Sequence, residues 1–255
     1  MSAATSQRLE RFARAARGGL TRLLPGLVVV LLATQALAGT DPARRWRTLE
    51  TPRFRIHHYQ GGEAMARKVA AIAEEAHDRV GRLFGLHPSQ VIEMSVWDDT
   101  DAANGWASVF PYDRMHLLAA PPGPDSELAA FDDYLRALVY HEYTHIVHMD
   151  HVSGAPGFVN RVLGKTMLPN GASPPWLVEG IAVLVESRLT RGGRLGSSQF
   201  EMLMRAALLG GTFPDLSELT VAPLKLPRGT APYLYGGYFF EFLYARYGAD
   251  AITAF

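Results

Sequence analysis

Two periods run through the apolar positions of this chain. A two-residue alternation over 51–59, and short apolar runs over 91–97 and 114–119, predict three strands. A three- and four-residue spacing predicts helices. Over 63–83 the stripe is Ala66, Val69, Ile72, Ala73, Ala76, Val80 and Leu83, opened after Gly61-Gly62 and closed by Gly85. From 127 to about 149, Phe131, Leu135, Leu138, Val139, Ile146 and Val147 keep the same spacing. The segment 41–47 reads as a basic linker, 98–113 as irregular, and Pro121-Pro122-Gly123-Pro124 as a loop. The first half is therefore expected to run β-α-β-β-α, a small mixed sheet backed by helices.

The second half changes character. Residues 152–175 are rich in Gly, Pro, Ser and Asn, which predicts a long loop with about one helical turn over 158–163. Loops of that length in compact domains tend to be functional. The run 176–185 is apolar on every side, the mark of a buried helix. An amphipathic helix follows over 197–209 and ends at Gly210-Gly211; 223–232 is a loop. An aromatic-rich helix spans 233–247, with Tyr238, Phe239, Phe242 and Leu243 expected toward the core. A further helix starts near Ala249, and the sequence stops inside it at Phe255, which predicts a protein that continues. The fold class expected is α+β, with a mostly helical C-terminal half.

Chemistry enters at His141-Glu142-Tyr143-Thr144-His145, an H-E-x-x-H inside the 127–149 helix. Residues four apart share a helix face, so His141 and His145 can offer two imidazoles to one metal ion. Glu142 lies one residue round and borders the ion's open side, where a general base is needed. The pattern points to a zinc hydrolase. In the buried run 176–185, Glu179 is the one charged residue. A carboxylate there needs a partner, either a metal ion or a core Arg. Glu186, closing the run, is expected to reach solvent or a loop.

The other histidines are read as surface or packing residues. His57 and His58 alternate across a strand and cannot both face one site. His77, His87 and His116 stand alone. His148 is expected at the rim of the site or behind its ligands. His151 stands where H-E-x-x-H-x-x-G-x-x-H would place a third imidazole, but His148 replaces the glycine of that motif.

Composition narrows the setting. The 255 residues are 48% hydrophobic and 20% charged with no net charge, which gives no electrostatic case for a nucleic-acid partner. With no cysteine, a zinc site must use His and carboxylate. Residues 1–38 read as an export signal: Arg8, Arg11, Arg14, Arg17 and Arg22, then an apolar stretch from Leu23 ending Ala36-Leu37-Ala38. An uncleaved signal anchor is the alternative. Cleavage would leave 39–255 with about four more acidic than basic residues, suited to a periplasmic or extracellular location. No membrane span is expected in that mature chain.

The pairing of His141-Glu142-x-x-His145 with Trp176-Leu177-x-Glu179-Gly180-x-Ala182 resembles the gluzincin clan of zinc metallopeptidases. The second block is close to the W-L-x-E-G-x-A of aminopeptidase N-type enzymes. The wider pattern, from Thr51-Pro52-Arg53-Phe54 through Asn104-Gly105 to Tyr233-x-x-Gly236 and Tyr247-Gly248, resembles bacterial peptidase MA-like domains. The resemblance implies a zincin-like fold, with His141, His145 and Glu179 as zinc ligands and Glu142 as general base. It implies Tyr233 as the donor to the oxyanion, with Tyr235 as the other candidate. It also implies a peptide or protein substrate, and a propeller-type domain following this one. The G-x-M-E-N that grips a free amino terminus in aminopeptidases is absent, which favours an endopeptidase. Residues 104–118 occupy its place, and 114–119 becomes the expected edge for an extended peptide. The helix position four residues past Glu179 is Val183, so the resemblance supplies no partner for a zinc-bound His. The contrasting reading, of another class, is a metal-binding docking module without turnover.

Overall fold

The computed structural model describes residues 43–88, 90–124, 126–221 and 227–253. The expected export signal lies outside them. Residues Trp46–Phe255 form one compact unit.

Five strands make one sheet: β1 (Trp46–Glu50), β2 (Phe54–Tyr59), β3 (Ile92–Trp97), β4 (Gly105–Ser108) and β5 (Arg114–Leu118). Their spatial order is β1-β2-β3-β5-β4. The inner three pair in parallel, and the two outer pairs are antiparallel. Helix α1 (Glu63–Phe84) links β2 to its parallel neighbour β3, as a parallel pair requires. The inner face carries Phe54, Ile56, Ile92, Met94, Val96, Met115 and Leu117, all buried; the outer face carries Arg55, His57, Glu93, Ser95, Arg114 and His116. Val69, Ile72, Ala73, Ala76 and Val80 of α1 join that core.

Helix α2 (Tyr134–Asp150) carries the H-E-x-x-H, and every residue from Ala137 to Val147 is buried. Behind it come α3 (Gly154–Leu163), α4 (Pro175–Leu189), α5 (Ser198–Leu209), α6 (Leu216–Thr220), α7 (Ala231–Tyr247) and α8 (Ala249–Thr253). Trp176, Phe200, Ala207, Leu219, Ala231, Leu234 and Tyr235 make a second core among α4 to α7. Among the described residues no helix is long and apolar enough to cross a membrane.

A mixed α/β architecture with a small mixed sheet is therefore present, and several expected boundaries move. The linker 41–47 ends in β1, a strand exposed at all but Leu49, so alternation is weak there. The irregular 98–113 contains β4. The strand expected as the peptide-binding edge is interior, since β5 lies between β3 and β4; the edge is β4. The metal helix begins at Tyr134. Upstream, 127–130 is one 3-10 turn, and Phe131 is extended and bridged to Gly192. The Asp133 side chain accepts the Arg136 N–H and caps the helix there. The single turn expected over 158–163 is the whole of α3. Phe242, expected toward the core, is 59% exposed.

The stretch between the second His and Glu179 is tied down by ions. Lys165 reaches Asp113, fully buried before β5, at 2.5 Å, and also contacts Asp150 at the end of α2. Burial pushes the Asp113 carboxyl up to about 6 against the pull of Lys165, and the Asp150 charge adds to the rise. A folded-state value above the unfolded one means that the bound proton favours the fold. That contribution is complete below about pH 4 and is lost as the pH rises toward 6. Asp113→Asn, which cannot ionise, should therefore gain on wild type by up to ~3 kcal/mol between pH 4 and pH 7. Thermal melts across that window check it; a difference that stays constant with pH would rule it out.

Candidate metal centre

Helices α2 and α4 bring three donors together. Glu179 Oε2 lies 3.1 Å from His141 Nε2 and 3.3 Å from His145 Nε2. One ligand atom from each of the three falls within 4.8 Å of the others, the one such group among the described residues. A tetrahedral ion with bonds of 2.0–2.1 Å separates its ligand atoms by about 3.3 Å, so the three residues fit such an ion closely. His151 is not in the group; it is exposed at the end of α2. It lines a groove of about 430 Å³ with His148, Phe84, Pro156 and Ile252.

Electrostatics follow from burial. Burial alone drives the His141 imidazolium down, but its bonds to Glu179 and Glu186 outweigh this and carry it up to about 9. Burial would raise the Glu179 carboxyl; hydrogen bonds from both histidines win and hold it far below the usual range. Glu142 is 4% exposed, with no hydrogen bond to its carboxylate among the described residues, and burial raises it, against the pull of His141 and His145. It stands beside the ligand group rather than in it.

Glu186 corrects the sequence reading. It is 1% exposed, and its Oε2 accepts a hydrogen bond from His141 Nδ1 at 2.8 Å. It does so because α4 runs on to Leu189. Glu179 and Glu186 are seven residues, about two turns, apart and share a face. A hydrogen bond at Nδ1 orients the ring so that Nε2 faces Glu179 and His145. Position 183, where the resemblance looks for this partner, holds a buried valine.

Helix α7 brings Tyr233 to His141. The Tyr233 ring stacks on His141 with centroids 6.0 Å apart. Burial, with the Glu179 charge, pushes its phenol up and keeps it a neutral donor. Tyr235 points elsewhere, into the second core against Phe213. Tyr233 reaches His141 because α4 and α7 cross without side chains between them. A Cβ on Gly236 would sit 1.9 Å from the Trp176 carbonyl oxygen, and one on Gly180 2.4 Å from the Gly236 backbone. On the opposite side, β4 passes over Glu142: a Cβ on Gly105 would lie 3.2 Å from Glu142 Cγ and 2.9 Å from Leu138.

Arg194 was absent from the sequence reading. After α4 the chain turns back through Gly193 at φ 108°, a region that L side chains rarely adopt, against the Cα of Ser187. That reversal delivers Arg194, 7% exposed, to Glu186 at 3.5 Å and over the Tyr233 ring at 4.7 Å. The Arg191-Gly192-Gly193 sequence signals a turn, but not where the turn leads.

Three further histidines find partners away from the group, while His148 Nδ1 is buried without one among the described residues. His57 pairs with Glu93, His77 with Tyr143, and His116 with Ser95 and the face of Trp106.

No family model matches the chain. An uncharacterized protein of Treponema pallidum (strain Nichols) is 26% identical to it over 204 residues, 79% of this chain. The chain spans 18% of that relative's length.

Proposed function

We propose that this domain is a zincin-like, zinc-dependent peptidase of the gluzincin type, acting on extended peptide segments. The observation that carries the reading is the convergence of His141 Nε2, His145 Nε2 and Glu179 Oε2 beside an unpaired, buried Glu142. Two neutral imidazoles and one carboxylate would leave a bound zinc ion with net positive charge. When bound, the ion supplies Lewis-acid charge that acidifies water and polarises the scissile carbonyl.

The chain's own groups do the rest. Glu142 takes the proton of the attacking water and passes it to the leaving amine. A base in a dry pocket, with its carboxyl raised by burial, is poised to return that proton. Tyr233 donates to the carbonyl oxygen as negative charge gathers there. Glu186 holds His141 in one tautomer. Strand β4 has a neighbour on one side only, so its free side can accept an extended peptide as an added strand. Gly105 keeps the space between that strand and Glu142 clear of a side chain. The sequence lacks the G-x-M-E-N of aminopeptidases, and an endopeptidase is the form proposed.

The ligand assignment has a direct test. Glu179→Ala should lower zinc affinity by more than the roughly 10–100-fold that loss of an outer hydrogen-bond partner costs. His151→Ala should leave it unchanged. Competition with a chromophoric chelator measures both. If the His151 variant loses the metal and the Glu179 variant keeps it, the ligand set is wrong.

A further inference from the structure

We propose that Arg194 is a positioning residue, joining the outer support of His141 to the ring of Tyr233. The inference rests on the metal-peptidase reading above and adds a residue to it that neither the motif nor the resemblance supplies. The three contacts form a chain. Arg194 Nε is 3.5 Å from Glu186 Oε1, while the other oxygen of Glu186 accepts from His141 Nδ1 at 2.8 Å. The guanidinium carbon lies 4.7 Å from the Tyr233 ring centre, and that ring stacks on His141.

Charge explains the first link. Neither Glu186 Oε1 nor Arg194 Nε has a hydrogen bond. At 3.5 Å the pair is held by Coulomb attraction in dry surroundings, where an unpaired charge is costly. Without Arg194, the Glu186 carboxylate would keep, among the described residues, only its contact with His141. Shape explains the second link. A guanidinium is planar and stacks on an aromatic face, whereas an ammonium supplies charge without a plane. Arginine therefore serves both neighbours and lysine only one.

A merely structural ion pair would move the melting temperature and leave this division of labour unseen. The test measures zinc affinity by chelator competition, and kcat and KM on a peptide, for wild type, Arg194→Met and Arg194→Lys. Arg194→Met should bind zinc about 10–100-fold more weakly, as when a ligand's outer partner is lost. Arg194→Lys should recover most of that affinity. Both should lose kcat about tenfold or more with KM little changed, since the tyrosine acts as charge develops. Unchanged zinc affinity in Arg194→Met overturns the link through Glu186. Full kcat in Arg194→Lys overturns the stacking role. Should Arg194→Met fail to fold, the double variant Glu186→Gln/Arg194→Met, neutral at both positions, stands in. It should bind zinc no more weakly than Glu186→Gln alone, and a further loss in the double variant overturns the proposal. If wild type cuts no peptide, the peptidase reading fails, while the chelator measurements still decide whether Arg194 acts through Glu186.

Discussion

Glu142→Gln should keep zinc at wild-type stoichiometry, melt at or slightly above the wild-type temperature, and lose at least ~100-fold in peptide hydrolysis. General-base catalysis is typically worth about 10²–10⁴-fold. The substitution preserves size and shape and removes only the proton acceptor. Glu142 is buried, and among the described residues its carboxylate has no hydrogen-bond partner that a neutral amide would forfeit. It is not one of the three converging donors, so the metal should stay. Side-by-side kinetics, metal analysis and melts on an amino-terminally blocked peptide decide the matter. Equal activity in both proteins would move the chemistry away from Glu142. Equal inactivity on a broad peptide panel would favour a docking module that binds metal without turnover.

Gly236→Ala should be the most damaging single-methyl addition near the site. The added carbon would meet the Trp176 carbonyl oxygen at 1.9 Å and Gly180 Cα at 2.9 Å. Both are backbone atoms of a packed helix and cannot swing aside. Overpacking usually costs about 1–3 kcal/mol, and a clash with main chain belongs at or above the top of that range. For a domain of this size ~3 kcal/mol corresponds to a fall of roughly 6–12 °C in Tm. Gly237→Ala gives the contrast. Its new carbon would meet Val183 Cγ1 at 2.7 Å and Leu195 Cδ2 at 3.2 Å, side chains rather than main chain. Its melting temperature should fall by less than half as much. Activity should fall with Gly236→Ala even where the protein remains folded, because α4 and α7 carry Glu179 and Tyr233 beside this crossing. Equal melting temperatures for the two variants would show that the crossing yields.

The sequence disclosed what depends on short-range periodicity. The spacing of His141 and His145 on one helix face, and the isolation of Glu179 in an apolar run, were readable because helix geometry links residues three and four apart. The stripe of α1 was readable for the same reason, and β2, β3 and β5 by strand alternation and short apolar runs. What stayed hidden depends on contacts across the chain. Glu186 sits two turns beyond Glu179, and that spacing was available, but its place at the end of an apolar run made it resemble a boundary. Arg194 owes its position to a reversal at Gly193 whose direction no local pattern encodes. The edge position of β4 follows from the parallel pairing of β3 with β5, and strand order is not written in alternation. Tyr233 and Tyr235, two residues apart on α7, could be told apart only when the helix had a neighbour on each side.

Helix α3 has no buried residue, and it lies in the 33 residues between His145 and Glu179. That stretch is a long closed loop with little core of its own, and closing such a loop has an entropic cost. The Lys165 ion pairs fasten it partway along. An ion shared by α2 and α4 would fasten its two ends. In a chain with no cysteine, coordination would then play the part that a disulfide plays in many other proteins, as a cross-link that cells can supply or withhold through metal availability.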